Sequence, residues 1–238
     1  MTDRRPRPRF ELDHVFVCAP DEAIAVRALT ERGLPIDRRR EHPGQGTANV
    51  CVEFANAYLE LLFVREAAAF GAALVAPLAL RERLDWRRTA ASPFGIALRP
   101  ASPDDSLAAA GVESWRYAAP FMPPGVTLSL LPPPDSPAEP MLFVVPHRGT
   151  PTSGSASIPA PAALGAASAR LARIGLAGPG SAGAVERIVA LAGPVARQLG
   201  VAAAGGAELR LELAPGAVGG GDLPHYDLRP TLPLVLGG

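Results

Sequence analysis

Lysine is absent from this 238-residue chain: its 23 basic residues are all arginine, matched by 23 acids for a formal net charge of zero. Charge so balanced and scattered builds neither a nucleic-acid-binding stripe nor a cationic patch for a membrane surface, so no nucleic-acid or membrane partner is expected and a small molecule fits better. Cysteine is scarce as well. Cys18 and Cys51 cannot supply the disulfide framework of a small secreted domain and are expected as reduced thiols. No apolar run is long enough to cross a bilayer. The basic start, MTDRRPRPRF, leads into a strand pattern rather than the apolar segment of a signal peptide, so a cytoplasmic location is expected. Also missing are a nucleophile motif, a phosphate loop and a dinucleotide fingerprint.

What is present is a sizeable core: an apolar share of 48% in a chain long enough for one large domain or two small ones. From Phe10, ELDHVFVCAP alternates as a strand does. DEAIAVRALTERG then places Ile24, Ala28 and Leu29, with Ala25 nearby, on one helical stripe, with Gly33 at a left-handed cap position. PIDRRREH, TANVCVEF and YLELLFV read as three more strands. Residues 66 to 92 read as helical connectors containing Pro77. A second round follows, with weaker patterning: FGIALRP as a strand, SPDDSLAAAG as a short capped helix, then SWRYAA, VTLSLLP and MLFVVPH as strands. The low-complexity segment from Arg148 reads as an exposed linker. Beyond it come a strand, RLARIGLAGP, a helix interrupted at Pro194, an alternating strand, AELRLELAP, and LRPTLPLVLGG, assigned to a sheet edge because Pro230 and Pro233 lack ladder donors.

Strand alternation puts Leu12, His14, Phe16 and Cys18 on one face and Asp13, Val15 and Val17 on the other. If the helix covers Val15, Val17, Leu59, Leu61 and Phe63, then His14 and Glu60 meet on the opposite side of the sheet. A carboxylate buried without a partner costs on the order of 2 to 5 kcal/mol, so Glu60 needs one. The alternatives are a divalent metal such as zinc, iron, manganese or nickel shared with His14, a direct hydrogen bond to His14, or a solvated face. In HPGQGTAN, Gly44 and Gly46 either shape a tight connection or let successive amides form an anion-binding concavity. His42 and Asn49 are placed at the mouth of the cleft as candidate substrate contacts.

LDHVFV, the turn HPGQGTAN and YLELL, taken together at this spacing, resemble the vicinal oxygen chelate superfamily and in particular its glyoxalase-like branch. The resemblance implies an α+β fold of repeated βαβββ units whose curved mixed sheets enclose a cleft. It implies a glyoxalase-like domain over residues 1–148, with units at about 10–64 and 93–148, followed by a linker and a partial third βαβ-like unit packed on the same body. The units pair within one chain or between two copies of it, as a homodimer. His14 and Glu60 fall on the family's metal-ligand positions, and Glu60 also on that of an acid or base. In the second unit, Gly95, Ile96, Val144 and Val145 stand where ligands are expected, and only His147 remains as a third ligand. Arg173 aligns with His14 in the third unit. The function implied is a metal-dependent lyase, isomerase or dioxygenase acting on a small oxygen-bearing substrate, the alternative being a metal-free protein that binds or sequesters a small molecule.

Overall fold

The computed structural model describes residues 9–131, 137–147, 169–191, 199–201, 207–214, 225–229 and 231–237. The low-complexity stretch at 148–168, Pro194 and Pro230 lie outside these residues.

The first unit is β1 (Phe10–Cys18), α1 (Glu22–Thr30), β2 (Arg38–His42), β3 (Thr47–Glu53) and β4 (Tyr58–Val64), the order expected from its pattern. Asp21 caps α1, its carboxylate accepting from the Ile24 amide at 2.7 Å, and Ala25, Ala28 and Leu29 form the buried stripe. The helix stops at Thr30, and Gly33 turns the chain with φ +69°. Short helices α2 (Ala67–Phe70), α3 (Leu80–Leu84) and α4 (Trp86–Thr89), with a 3-10 turn at Ala76–Leu78, make the connector.

The second unit contributes β5 (Phe94–Pro100), β6 (Trp115–Tyr117), β7 (Leu128–Leu130) and β8 (Met141–Val144). The helix expected over SPDDSLAAAG does not form. Asp105 accepts from the Ser102 amide at 2.9 Å and Ser106 Oγ from the Ala109 amide at 3.1 Å. Both are bonds of the kind that start a helix, but they begin two separate turns four residues apart, and Gly111, at φ +71°, ends the segment before either propagates.

All eight strands form one mixed sheet in the order β2-β3-β4-β1-β5-β8-β7-β6. β1 pairs in parallel with β4, β5 in parallel with β8, and the two units join through antiparallel β1 and β5. Each unit therefore repeats the same strand order outward from the join. This is the paired βαβββ arrangement with the second helix missing, and the pairing lies within one chain.

A second sheet contains β9 (Arg170–Ala177), β10 (Leu199–Val201), β11 (Glu208–Ala214), β12 (Tyr226–Asp227) and β13 (Leu234–Gly237), in the order β10-β9-β11-β13-β12, with α5 (Ser181–Leu191) joining β9 to β10. Here the strand before the helix pairs in parallel with the strand directly after it. In the first unit, β1 pairs instead with the last strand, β4. β13, expected at an edge, lies between β11 and β12, because Pro233 stays outside the ladder and offers only its carbonyl, to the Leu209 amide at 2.7 Å. One continuous core joins Val15, Val17, Leu59, Leu61, Phe63, Ile96 and Leu98 of the large sheet to Ala25 and Leu29 of α1 and to Leu171, Ile174 and Leu211 of the second sheet. The opposite, concave face of the large sheet is left to build a cavity. No helix among the described residues is long and apolar enough to cross a membrane.

Candidate functional site

A cavity of about 530 Å³ opens on that face. His14, Asn49 and Glu60 reach it because each sits on the inward side of its strand: Glu60 lies opposite Phe16 of β1 and Cys51 of β3, and Asn49 opposite Leu62. The alternation breaks at one point. Between Leu12 and His14 the register with β5 slips, Leu12 facing Leu98 and His14 facing Ala97. The extra residue is a β-bulge. It leaves Leu12 in the core beside Val15 and turns both Asp13 and His14 towards the cavity. The alternation had placed Leu12 with His14 and Asp13 with Val15. Nothing in the local sequence announces a bulge, so Asp13 was missed as a site residue.

The bulge gives His14 a carboxylate on each side. Asp13 Oδ1 lies 2.8 Å from Nδ1, and Glu60 Oε2 lies 3.5 Å from Nε2. The first is a charge-assisted hydrogen bond; the second is too long for a strong one but short enough to bracket a ligand atom. All three side chains are buried, at 8%, 6% and 7% exposure for Asp13, His14 and Glu60. Arg99 Nη1 reaches Asp13 Oδ2 at 3.4 Å and donates to the Leu12 carbonyl at 2.9 Å, supporting the bulge from β5. The imidazole stacks on Tyr58 with ring centres 4.4 Å apart, and Arg38 covers the other face of that phenol. Burial, with the charges of Asp13 and Glu60 adding to it, pushes the Tyr58 phenol well above its ordinary range, so it stays neutral.

From Glu60 a chain of polar contacts runs across the sheet. Asn49 Nδ2 donates to Glu60 Oε1 at 2.7 Å and lies 3.4 Å from His42 Nε2; His42 Nδ1 is 2.9 Å from Thr47 Oγ1. Gln45 Nε2 donates to the same hydroxyl at 2.8 Å, and its Oε1 accepts from Tyr117 of the second unit at 3.0 Å. Burial lowers the His42 pKa, with Arg40 and His14 acting the same way against Glu60, so this ring is neutral at pH 7. Burial also pushes the Cys18 and Cys51 thiols up to about 12, which makes them inert donors; Cys51 donates to Asn49 Oδ1 at 3.6 Å. The turn at Gly44 and Gly46 is structural. The amides of Gln45 and Gly46 both donate to the His42 carbonyl at 3.1 Å, which leaves them unavailable to an anion.

Among the described residues the second unit gives the cavity one polar side chain, Tyr117, whose hydroxyl is spent on Gln45. Its other inward side chains are apolar, among them Phe121, Met122, Leu128, Met141, Phe143 and Val145. At Gly95 a Cβ would lie 1.9 Å from Phe16 Cε1, because that ring fills the space a side chain would need. On β8 it is Met141, Phe143 and Val145 that turn inward. Pro146 then lines the cavity itself and interrupts the alternation, and the half-buried His147 is not among the described residues that line it. His14, Glu60, His42 and Asn49 are thus brought together; His147 is not.

A resident divalent metal would have His14 Nε2 and Glu60 to bind it. Among the described residues no group of three or more histidine, cysteine, aspartate or glutamate side chains converges as a metal-binding cluster. Asp13 is engaged on the far nitrogen of His14, one Glu60 oxygen is taken by Asn49, and neither Cys18 nor Cys51 lines the cavity. This donor set does not fit the three protein ligands of a catalytic metal centre.

Tyr117→Phe tests the bond that ties the two units across the cleft. It leaves the buried Gln45 Oε1 without its donor, which should cost about 1–2 kcal/mol, read as a lower urea midpoint at unchanged slope.

A family model described as a glyoxalase-like domain matches residues 12–192. A crystal structure of a hypothetical protein from Staphylococcus aureus superimposes on 95% of this chain and 98% of its own, with a TM-score of 0.57 at 11% identity, a likeness of fold that takes in both sheets. A hypothetical protein from Bacillus halodurans covers 60% of this chain and 97% of its own at TM-score 0.41 and 14% identity. Methylmalonyl-CoA epimerase from Mycobacterium tuberculosis covers 58% and 87% at TM-score 0.37 and 16% identity. A comparison with curated proteins found no match.

Proposed function

Because the chain belongs to the glyoxalase-like domain family, whose model matches most of its length, we propose that the cavity binds a small amphipathic carbonyl compound and moves a proton on it. The observation that carries this reading is the line Asp13–His14–Glu60 at the polar wall of a cavity whose opposite wall is apolar. The carbonyl oxygen faces His14 Nε2, the carbon next to it faces Glu60, and the apolar body lies against Met122, Leu128 and Phe143. Asp13 fixes the imidazole through Nδ1, so Nε2 is the nitrogen presented to the ligand. Because Nδ1–H is given to Asp13, Nε2 carries a proton only in the imidazolium, so the step starts from protonated His14 and ionised Glu60. The imidazolium donates from Nε2 to the oxygen while Glu60, held by Asn49, accepts the proton from the carbon next to the carbonyl. Returning the proton to the same or a neighbouring carbon completes an isomerisation; expelling a β-substituent completes a lyase reaction. No step requires a metal. A second reading, binding without turnover, is favoured by the second unit, whose described lining is apolar apart from the Tyr117 hydroxyl held by Gln45.

The test is proton exchange from D2O into phenylpyruvate and 2-oxooctanoate, followed by NMR. Exchange above the buffer rate supports the reaction; saturable binding without exchange supports the second reading; neither would sink both. Elemental analysis of protein purified without chelator should show metal well below one equivalent, with exchange unchanged by EDTA. Stoichiometric metal lost in Glu60→Ala would overturn the metal-independent mechanism.

A further inference from the structure

Behind Leu78, Leu130 and Met141, which line the large cavity, the same three side chains bound a second pocket of about 110 Å³. That is room for three or four waters at roughly 30 Å³ each, the size of a carboxylate, sulfate or phosphate group. Two arginines line it, Arg83 from α3 and Arg187 from α5. Arg83 is 4% exposed. Both of its hydrogen bonds leave from Nη1, to the Ser92 and Glu139 carbonyls at 2.8 Å each. Its Nε is buried with no acceptor among the described residues, and Arg187 Nε is in the same condition. Arg187 also pairs through Nη2 with the Glu139 carboxylate. The two guanidiniums against that one carboxylate leave a single net positive charge.

An arginine does not shed its proton, so a buried guanidinium short of acceptors is a standing cost to the fold. Burial pulls Arg83 below its ordinary pKa, offset in part by the charge of Glu82. That carboxylate accepts no hydrogen bond from it. The Nε edge of an arginine is suited to gripping an oxyanion through two parallel N–H···O bonds, which would satisfy the open donor and neutralise the charge together. We propose that Arg83 and Arg187 form a binding subsite for a small oxyanion, held on the Nε side of Arg83. The oxyanion is either a free inorganic ion or the anionic end of a molecule whose body lies in the large cavity across Met141. The subsite stands independently of the proton-transfer reading.

Calorimetric titration of the full chain at fixed ionic strength, with inorganic phosphate, octyl phosphate and octanol as probes, tests it. Saturable binding of phosphate is expected, weakened about tenfold in Arg187→Gln, whose side chain is 33% exposed and whose loss the fold should tolerate. Arg83→Met should abolish it; if that variant does not fold by circular dichroism, Arg187→Gln carries the test alone. Octyl phosphate binding tenfold tighter than both phosphate and octanol, and weakened by Phe143→Ala, places the oxyanion on the end of a cavity ligand. Equal affinity for the two phosphates places a free ion there. The subsite is overturned if neither phosphate saturates, or if their affinities are unmoved in Arg187→Gln.

Discussion

In Glu60→Gln, catalysed exchange of the α-proton should fall by about 10²- to 10⁴-fold while affinity for the same carbonyl compound changes only a few-fold. The substitution is chosen for what it preserves. Glutamine keeps the length of the side chain and a carbonyl oxygen to accept from Asn49, which now donates to Glu60 at 2.7 Å. What it removes is the charge beside His14 Nε2 and the capacity to take a proton. Asp13→Asn should act through a different step. Its oxygen can still accept from the imidazole, but the charge that steadies the protonated ring is gone, so the maximal exchange rate should fall while affinity for the carbonyl compound is kept. Wild-type exchange in Glu60→Gln would refute the assignment of that carboxylate as base and leave binding without turnover.

Gly46→Ala should destabilise the protein by on the order of 3 kcal/mol or more, a fall in thermal midpoint of roughly 10 °C for a chain of this size. Two penalties coincide there. The residue has φ +76°, where any side chain is strained, and an added Cβ would lie 2.3 Å from the Phe70 amide nitrogen and 2.4 Å from the Glu66 carbonyl oxygen. These are backbone atoms of the connector, which cannot swing aside as the end of a flexible side chain can. The Gly46 carbonyl also accepts from the Arg65 and Glu66 amides, so the turn after β2 and the start of the connector move as one piece. Because His42 and Gln45 belong to this turn, weaker ligand binding should accompany the loss of stability. Differential scanning calorimetry of the variant beside Gly33→Ala separates the two penalties. Gly33 has the same backbone sign, but a Cβ there meets nothing within 4 Å, so its cost should be the smaller.

Much of this molecule was legible from pattern alone, where one local rule acts at a time. The stripe of Ala25, Ala28 and Leu29 marks α1 because helical spacing brings those positions together whatever surrounds them. Strict alternation in YLELLFV shows that Glu60 and the apolar Leu59 and Leu61 face opposite ways. By contrast, the helix expected over SPDDSLAAAG failed although its capping bonds formed, because two starts four residues apart and then Gly111 leave neither turn room to propagate. Misplacing β13 at an edge had a related cause: Pro233 bars itself from the ladder without barring the residues after it.

The sequence by itself determined the strand and helix order of the first unit, the turn between β2 and β3, and the presence of a histidine and a carboxylate inside apolar strands. Those features follow from spacing and side-chain chemistry within a few residues. Only the tertiary structure decided that Asp13 joins His14, because a bulge is set by the register of β1 against β5, more than eighty residues away. The fate of His147 was decided the same way: Pro146 takes the place beside Val145 at the cavity, and His147 does not line it. So was the meeting of Arg83 with Arg187, which face one pocket because the chain returns α5 to the side of the connector. Spacing constrains neighbours along the chain, whereas which distant strands and helices meet is set by the packing of the whole core.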